Sequence, residues 1–243
     1  ELGITSDAIQ YEGLYEQIRA AFRKAFVSAD GRVSGETQTA YVLALYFDLL
    51  TEEQAKLASE HLIENFKSRD WHLSTGFVGT RDLLHVLSKI GRNDVAFKLL
   101  HNKTFPSWGF PIANGATSIW ERWDGWTPER GFQDVGMNSF SHYAYGAVVG
   151  WMFEKIGGIK ELKAGFERIL IAPEIDPNLT FARCRYKSVR GDVVCNWELK
   201  GNRLTIDVQV PVNTTAEFVM PGSNERRVLG SGHYQFLTEW SKK

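Results

Sequence analysis

The spacing of apolar residues changes near Gly165, and this change constrains the fold more than any other feature of the sequence. Before it, apolar residues recur at intervals of three and four, which predicts helices. From Phe166 onward, apolar and polar residues alternate, as in Leu204–Val210, which predicts strands with one buried face. We therefore expect a mainly α part, 1–165, followed directly by an all-β part, 166–243.

The helical part alternates between helices that are apolar all round and helices that carry one apolar stripe. Residues 36–50 leave no polar face, so we expect this helix to be buried on nearly all sides. Thr51 and Gln54 have the spacing of a capping box that opens a helix with a single stripe. Such alternation predicts an inner and an outer layer. Six or seven helices, the first at 8–26 and the last at about 139–156, would form half of a double-layered toroid.

The β part predicts an antiparallel sandwich of short strands separated by Gly, Pro and Asn turns. The two cysteines, Cys184 and Cys195, fall in a hairpin that is predicted to turn at Arg190 and Gly191. A two-residue turn there would place the cysteines diagonally across the strands, near or beyond the reach of a disulfide. We therefore expect two free thiols.

Charge and composition argue against several classes of function. The formal net charge is -1 and the basic residues form no stripe, so a nucleic-acid partner is not expected. No run of about 18 apolar residues indicates a membrane span, and the N-terminus shows no signal-peptide pattern. No spacing of His, Cys and carboxylates predicts a metal site. We expect a neutral partner and no cofactor or metal, and localisation stays open.

A stretch of about 37 residues with weak periodicity precedes the last helix, and loops of that length are usually functional. It is rich in indoles and carboxylates, namely Trp108, Trp120, Trp123, Trp126, Glu121, Asp124, Glu129 and Asp134. Flat rings hold the apolar faces of sugars, although most tryptophans simply fill cores. Carboxylates between aromatic walls suit the chemistry of glycosidic bonds, which needs an acid and a base or nucleophile.

Ordinary structural roles are also open to these residues. Ser118 and Glu121 have capping-box spacing, so Glu121 could merely begin a helical turn. Asp124 with Arg122 or Arg130 could form surface ion pairs of little consequence. Spacing alone does not single out Glu121.

Two long motifs lie in and just after this stretch, Thr-Ser-Ile-Trp-Glu-Arg-Trp-Asp at 117–124 and Gly-Met-Asn-Ser-Phe-Ser-His-Tyr-Ala-Tyr-Gly-Ala at 136–147. They resemble the characteristic motifs of glycoside hydrolase family 78, the α-L-rhamnosidases. Further matches, which extend the similarity over essentially the whole chain, lie at 35–41, 75–80, 106–109 and 210–216. The resemblance implies the C-terminal half of an (α/α)6 barrel and the small β-sandwich that follows it.

The resemblance also implies a reaction with inversion, in which an acid protonates the rhamnosidic oxygen and a base deprotonates water on the opposite face. It carries the base onto Glu121 and a pocket histidine onto His142. The side chains that we further expect to contact the sugar are Trp108, Trp120, Trp126, Trp123 and Asp124. The acid has no match here, so it would lie in an N-terminal remainder of the barrel, from the same gene or a separate chain.

Two positions depart from the family pattern. Arg81-Asp82 stands where members more often carry apolar or proline residues, which is expected to alter the pocket rim, and Ser141 replaces a commoner asparagine. Neither changes the expected reaction. His142 has an alternative role as well, since it could only hydrogen-bond a nearby backbone carbonyl.

Three hypotheses follow. The first is the C-terminal half of a rhamnosidase that acts on a rhamnose-containing glycoside and is inactive as this chain alone. The second is a non-catalytic carbohydrate-binding or subunit-interaction fragment, in which Glu121 serves no reaction. The third is another (α/α) barrel hydrolase or a lyase acting on a uronic acid. A lyase would need a basic pocket, for which the motif region offers only Arg122 and Arg130.

Overall fold

The computed structural model describes residues 3–223 and 225–241. It divides into two compact units, of which the first ends at Val148 and the second begins at Val149. The domain boundary that the sequence predicts near Gly165 stays a prediction, because a division into compact units does not define where a domain that folds by itself ends. The first strand of the second unit, Ile159–Lys163, nevertheless precedes that boundary.

The first unit is mainly helical. Its helices are α1 Thr5–Phe26, α2 Gln38–Tyr46, α3 Glu52–Ser68, α4 Phe77–Lys89, α5 Asn93–His101 and α6 Gly109–Ala113. Helix α2 packs against α3 and α4, and α4 packs against α5. The capping box of α3 is confirmed, because the Gln54 amide donates to Thr51 Oγ1 and the Thr51 amide donates to Gln54 Oε1. No helix in the described ranges has both the length and the apolarity to cross a bilayer.

Helix α2 is shorter than the predicted helix 36–50 and is not buried on all sides. Glu36 has a φ of 44°, and the helix begins only after Thr37, whose Oγ1 accepts from the Ala40 amide. At the other end, Asp48 has a φ of 52° and Phe47 is exposed. These left-handed residues end the helix, so the predicted length and the burial of its C-terminal end were wrong.

The predicted last helix, 139–156, was also wrong in its first half. A 3-10 turn covers Ala144–Ala147, and helix α7 covers only Val148–Lys155. Before the turn, residues 139–142 are not helical, and their backbone is hydrogen-bonded to the segment 119–121. Backbone pairing between distant segments therefore overrides the helical spacing of the apolar residues.

The second unit combines α7 with two four-stranded sheets, ordered β10-β7-β6-β5 and β3-β4-β8-β9. The short pair β1 Trp126–Thr127 and β2 Gly131–Phe132 belongs to the first unit. The remaining strands are β3 Ile159–Lys163, β4 Arg168–Ile171, β5 Phe181–Ser188, β6 Gly191–Lys200, β7 Arg203–Val210, β8 Thr215–Val219, β9 Arg226–Leu229 and β10 Gly232–Glu239. All pairs are antiparallel except β4 with β8, which is parallel. The fold of helices followed by a β-sandwich is confirmed.

The two cysteines form a directly opposite cross-strand pair, whereas the sequence predicted a diagonal one. Ser188 pairs with Gly191, so the hairpin turns at Val189 and Arg190, and Cys184 lies directly opposite Cys195. The predicted diagonal placement was wrong, because a shift of one residue changes every cross-strand pair. Both thiols are free, as expected, and both are buried. Burial raises the pKa of the Cys184 thiol to about 11 and raises the pKa of Cys195 further.

Candidate active site

The two motif segments lie side by side in the first unit. The Glu121 amide donates to the Ser139 carbonyl at 2.9 Å, and the His142 amide donates to the Ile119 carbonyl at 2.9 Å. These backbone bonds hold the segment that carries Glu121 beside the segment that carries His142.

Glu121 is half-buried and is held by a backbone donor. The Ser139 amide donates to Glu121 Oε2 at 2.8 Å. A carboxylate that is held through one oxygen keeps the other for a water molecule. The helix-capping alternative is wrong, because Ser118 Oγ donates to the Phe140 carbonyl and no helix begins at Glu121.

His142 is oriented by its own backbone and by two rings. The Ala144 amide donates to His142 Nδ1 at 3.2 Å, so the neutral ring carries its proton on Nε2. The imidazole stacks on Tyr143 with centroids 5.1 Å apart and lies 5.7 Å from the ring of Phe77. The described hydrogen bond of the His142 ring is thus to a backbone N–H, whereas the alternative role expected one to a backbone carbonyl. No partner for Nε2–H is seen among residues 3–223 and 225–241, so this group can donate to a ligand.

Trp108 and Trp123 form a buried cluster with Tyr145. The Trp123 indole stacks on Tyr145 at 3.8 Å and donates to the Thr75 carbonyl at 2.8 Å. The Trp108 indole donates to the Tyr145 carbonyl at 2.9 Å. Burial raises the pKa of Tyr145 to about 12. The cluster attaches the loop before α4 to the motif that carries Glu121. The expected sugar contacts of both tryptophans stay predictions.

Trp120, Trp126 and Asp124 are the other residues expected to contact the sugar. Trp120 is buried with its ring edge-on to Phe140 at 5.3 Å, and Trp126 is half-buried on β1. Asp124 accepts two hydrogen bonds from Arg122, at 3.0 and 3.1 Å, so the ion pair of the structural alternative is present. That hydrogen-bonded pair raises the pKa of Arg122. The roles of Trp120, Trp126 and Asp124 in binding stay predictions.

Sequence reasoning missed three contributors to this site. The Ser139 amide is a backbone donor, and no residue type signals such a donor. Phe77 and Tyr143 lie within the matched motifs at 75–80 and 136–147, and their position in those motifs was the available signal. Within 3–223 and 225–241, no cluster of three or more His, Cys, Asp or Glu side chains could hold a metal ion.

Comparison with known proteins assigns the chain to a family. The model described as the bacterial alpha-L-rhamnosidase 6 hairpin glycosidase domain matches residues 1–156, and the model of the C-terminal domain of the same enzymes matches 158–235. The chain belongs to the bacterial α-L-rhamnosidase family. The family resemblance stated from the motifs is therefore confirmed.

Individual members of the α-L-rhamnosidase family agree with this assignment. An α-L-rhamnosidase of Streptomyces avermitilis is 46% identical over 228 residues, which are 94% of this chain and 22% of the relative. The crystal structure of an enzyme of that name and organism, complexed with L-rhamnose, superposes with a TM-score of 0.90 at 41% identity, covering 96% of this chain and 24% of that one. The native enzyme of Aspergillus terreus superposes with a TM-score of 0.92 at 34% identity, covering 97% and 28%. The chain thus spans about a quarter of the length of these family members.

Proposed function

We propose that this chain supplies the general base of an inverting α-L-rhamnosidase, and that the base is Glu121. The observation that carries the proposal is the half-buried Glu121 carboxylate, held through Oε2 by the Ser139 amide where the two family motifs meet. A general base must be fixed in position and open to water on one side. The contact to Ser139 meets the first condition, and the partial exposure of Glu121 meets the second.

In the proposed reaction, the free oxygen of Glu121 takes a proton from a water molecule, which attacks the anomeric carbon of a terminal α-L-rhamnosyl group. A carboxylic acid on the opposite face protonates the departing oxygen, and the two carboxyl groups of an inverting pair lie about 6.5 to 9.5 Å apart. His142 donates from Nε2 to a sugar hydroxyl. The Streptomyces structure that superposes on this chain is a complex with L-rhamnose, which supports rhamnose as the sugar.

The acid and the remaining helices of the barrel are proposed to come from polypeptide outside this chain. Helix α1 supports this proposal, because none of its residues is buried although its sequence is amphipathic. Its apolar side chains remain exposed, with Ile9 at 70%, Ile18 at 51% and Leu14 at 48%. Exposed apolar faces of this kind mark interaction surfaces. We expect neighbouring helices of the same barrel to cover this face.

The test replaces Glu121 by Gln in the full-length enzyme and measures hydrolysis of an aryl α-L-rhamnoside. We expect kcat to fall about 10³-fold, because the amide cannot deprotonate water. Binding of free L-rhamnose, measured by calorimetry, should change little, because the amide keeps the shape of the side chain. Proton NMR of the wild-type reaction should show β-L-rhamnose as the first product, as inversion requires.

Two outcomes would contradict the proposal. An unchanged rate in Glu121→Gln would favour the second hypothesis, a non-catalytic binding or interaction fragment. Robust turnover by this chain alone, without added polypeptide, would show that the acid lies within the chain.

A further inference from the structure

Arg81 is an exposed cation held in place by a buried anion. The Asp82 side chain is 4% exposed, whereas that of Arg81 is 61% exposed. Arg81 Nε donates to Asp82 Oδ1 at 3.0 Å, and Nη2 donates to Asp82 Oδ2 at 2.9 Å. A guanidinium that is held by two bonds has fewer rotamers to lose when a ligand binds.

Arg81 lies beside the rings that orient His142. Phe77 precedes Arg81 by one turn of α4, so both side chains project from the same face of that helix. Phe77 contacts His142, and His142 stacks on Tyr143, a residue that is 85% exposed. The pKa of Arg81 is raised chiefly by its hydrogen bonds to Asp82.

The first turn of α4 is fixed relative to the loop of Glu121. The Thr75 carbonyl, just before α4, accepts from the Trp123 indole, and the hydroxyls of Thr75 and Thr80 lie 2.7 Å apart. Gly79 packs so closely on α2 that a Cβ there would lie 2.6 Å from Thr39 Oγ1. Arg81 therefore has a defined position with respect to the candidate active site.

The chemistry of Arg81 fits an anionic ligand. Asp82 occupies the edge of the guanidinium formed by Nε and Nη2. The second edge, formed by Nη1 and Nη2, can bind another carboxylate or a sulfate with two parallel hydrogen bonds. An anionic substrate would be repelled by the Glu121 carboxylate, and a fixed cation nearby offsets that repulsion.

We infer that Arg81 is a specificity-determining residue, which binds an anionic group on the part of the substrate that carries the rhamnosyl group. This inference rests on the proposed function of Glu121. The terminal sugar occupies the site at Glu121 and His142. In this inference, the rest of the substrate extends over Tyr143 and the Arg81 side chain, both of which are exposed.

The test uses the full-length enzyme and three rhamnosyl disaccharides that differ in the second sugar: glucose, glucuronic acid and glucose 6-sulfate. The variants are Arg81→Gln and Arg81→Lys. Arg92→Gln is the control, because Arg92 at the N-cap of α5 also forms a two-bond pair with its neighbour Asp94, which is exposed. An aryl rhamnoside reports whether each variant is folded and catalytically intact.

We expect wild-type enzyme to prefer an acidic disaccharide. Arg81→Gln should lower kcat/KM for that substrate about tenfold or more, the effect of losing a charge-assisted pair of hydrogen bonds. It should leave the glucose disaccharide and the aryl rhamnoside within about twofold of wild type. Arg81→Lys should be intermediate, since it keeps the charge and loses the planar fork. If Arg81→Gln lowers kcat/KM for the glucuronic acid disaccharide, the bound group is a carboxylate. If it lowers kcat/KM for the glucose 6-sulfate disaccharide, the bound group is a sulfate.

Equal effects of Arg81→Gln on neutral and acidic disaccharides would overturn this inference and leave the proposed function of Glu121 untouched. The same holds if Arg92→Gln loses as much kcat/KM on the acidic substrate as Arg81→Gln does. If the wild-type enzyme hydrolyses the rhamnosides without preferring an acidic one, the inference is likewise wrong. If it hydrolyses none of them, the proposed function fails and the inference fails with it.

Discussion

Glu121 and Ser139 are joined by two hydrogen bonds, one in each direction. The Glu121 amide donates to the Ser139 carbonyl at 2.9 Å, and the Ser139 amide donates to the Glu121 carboxylate at 2.8 Å. The first bond aligns the backbones of the two motifs, and the second fixes the side chain. The proposed base therefore depends for its position on the main chain of the other motif.

Shortening the base tests this dependence. Glu121→Asp keeps a carboxylate but withdraws it by one methylene, so it should lose the Ser139 contact. Misplacement of a reacting group by about 1 Å costs on the order of 10²-fold in rate, and we expect a loss of that size in kcat on an aryl rhamnoside. Ser139→Ala keeps the amide donor and is the control. A loss in Ser139→Ala as large as in Glu121→Asp would contradict the assignment to the backbone.

Replacing His142 by Asn tests the roles of its two ring nitrogens separately. The Asn side-chain oxygen can accept from the Ala144 amide, as Asn does in turns, whereas the Nε2 donor is lost. We expect the melting temperature to stay near the wild-type value and kcat/KM to fall about 10- to 100-fold. His142→Ala, which removes both groups, should lower stability as well. Wild-type activity in His142→Asn would show that Nε2 does not contact the substrate.

The indole of Trp123 is expected to be structural. Trp123→Phe keeps a ring on Tyr145 but leaves the Thr75 carbonyl without the indole donor. The carbonyl then keeps only the 3.4 Å hydrogen bond from Thr80 Oγ1. Loss of a buried hydrogen bond costs about 1 kcal/mol, so the free energy of unfolding in urea should fall by about that amount. Trp126→Phe, at a half-buried position, should change it by about 0.5 kcal/mol or less. Equal effects of the two substitutions would contradict this role.

Alkaline pH should destabilise the second unit through Cys184. Its pKa is raised in the folded state from 9.0 to about 11, because burial disfavours the thiolate. The associated stability is complete below the unfolded value of 9.0 and is lost as pH rises through about 11. The free energy of unfolding should therefore decrease over this range, and the decrease should be smaller in Cys184→Ala. An identical pH dependence in the two proteins would show that the thiol is not responsible.

Local sequence patterns predicted much of the fold because they report interactions between residues close in the chain. The capping box at Thr51 and Gln54 satisfies backbone groups within one helical turn, so its spacing was a sufficient signal. The alternation in Leu204–Val210 likewise predicted a strand with its apolar side buried. Candidate site residues were a different case, since family motifs rather than spacing singled out Glu121.

By itself, the sequence determined the change from helices to strands, the two free thiols and the motifs of an α-L-rhamnosidase. Only the tertiary structure decided that residues 139–142 pair with the motif of Glu121, that Cys184 lies opposite Cys195, and that the buried Asp82 holds the exposed Arg81. The physical reason is the same for the first two. Each depends on backbone hydrogen bonds between separate segments, whose register is set by how the segments pack. Asp82 could anchor Arg81 from a buried position only because α4 packs that side of the helix into the core.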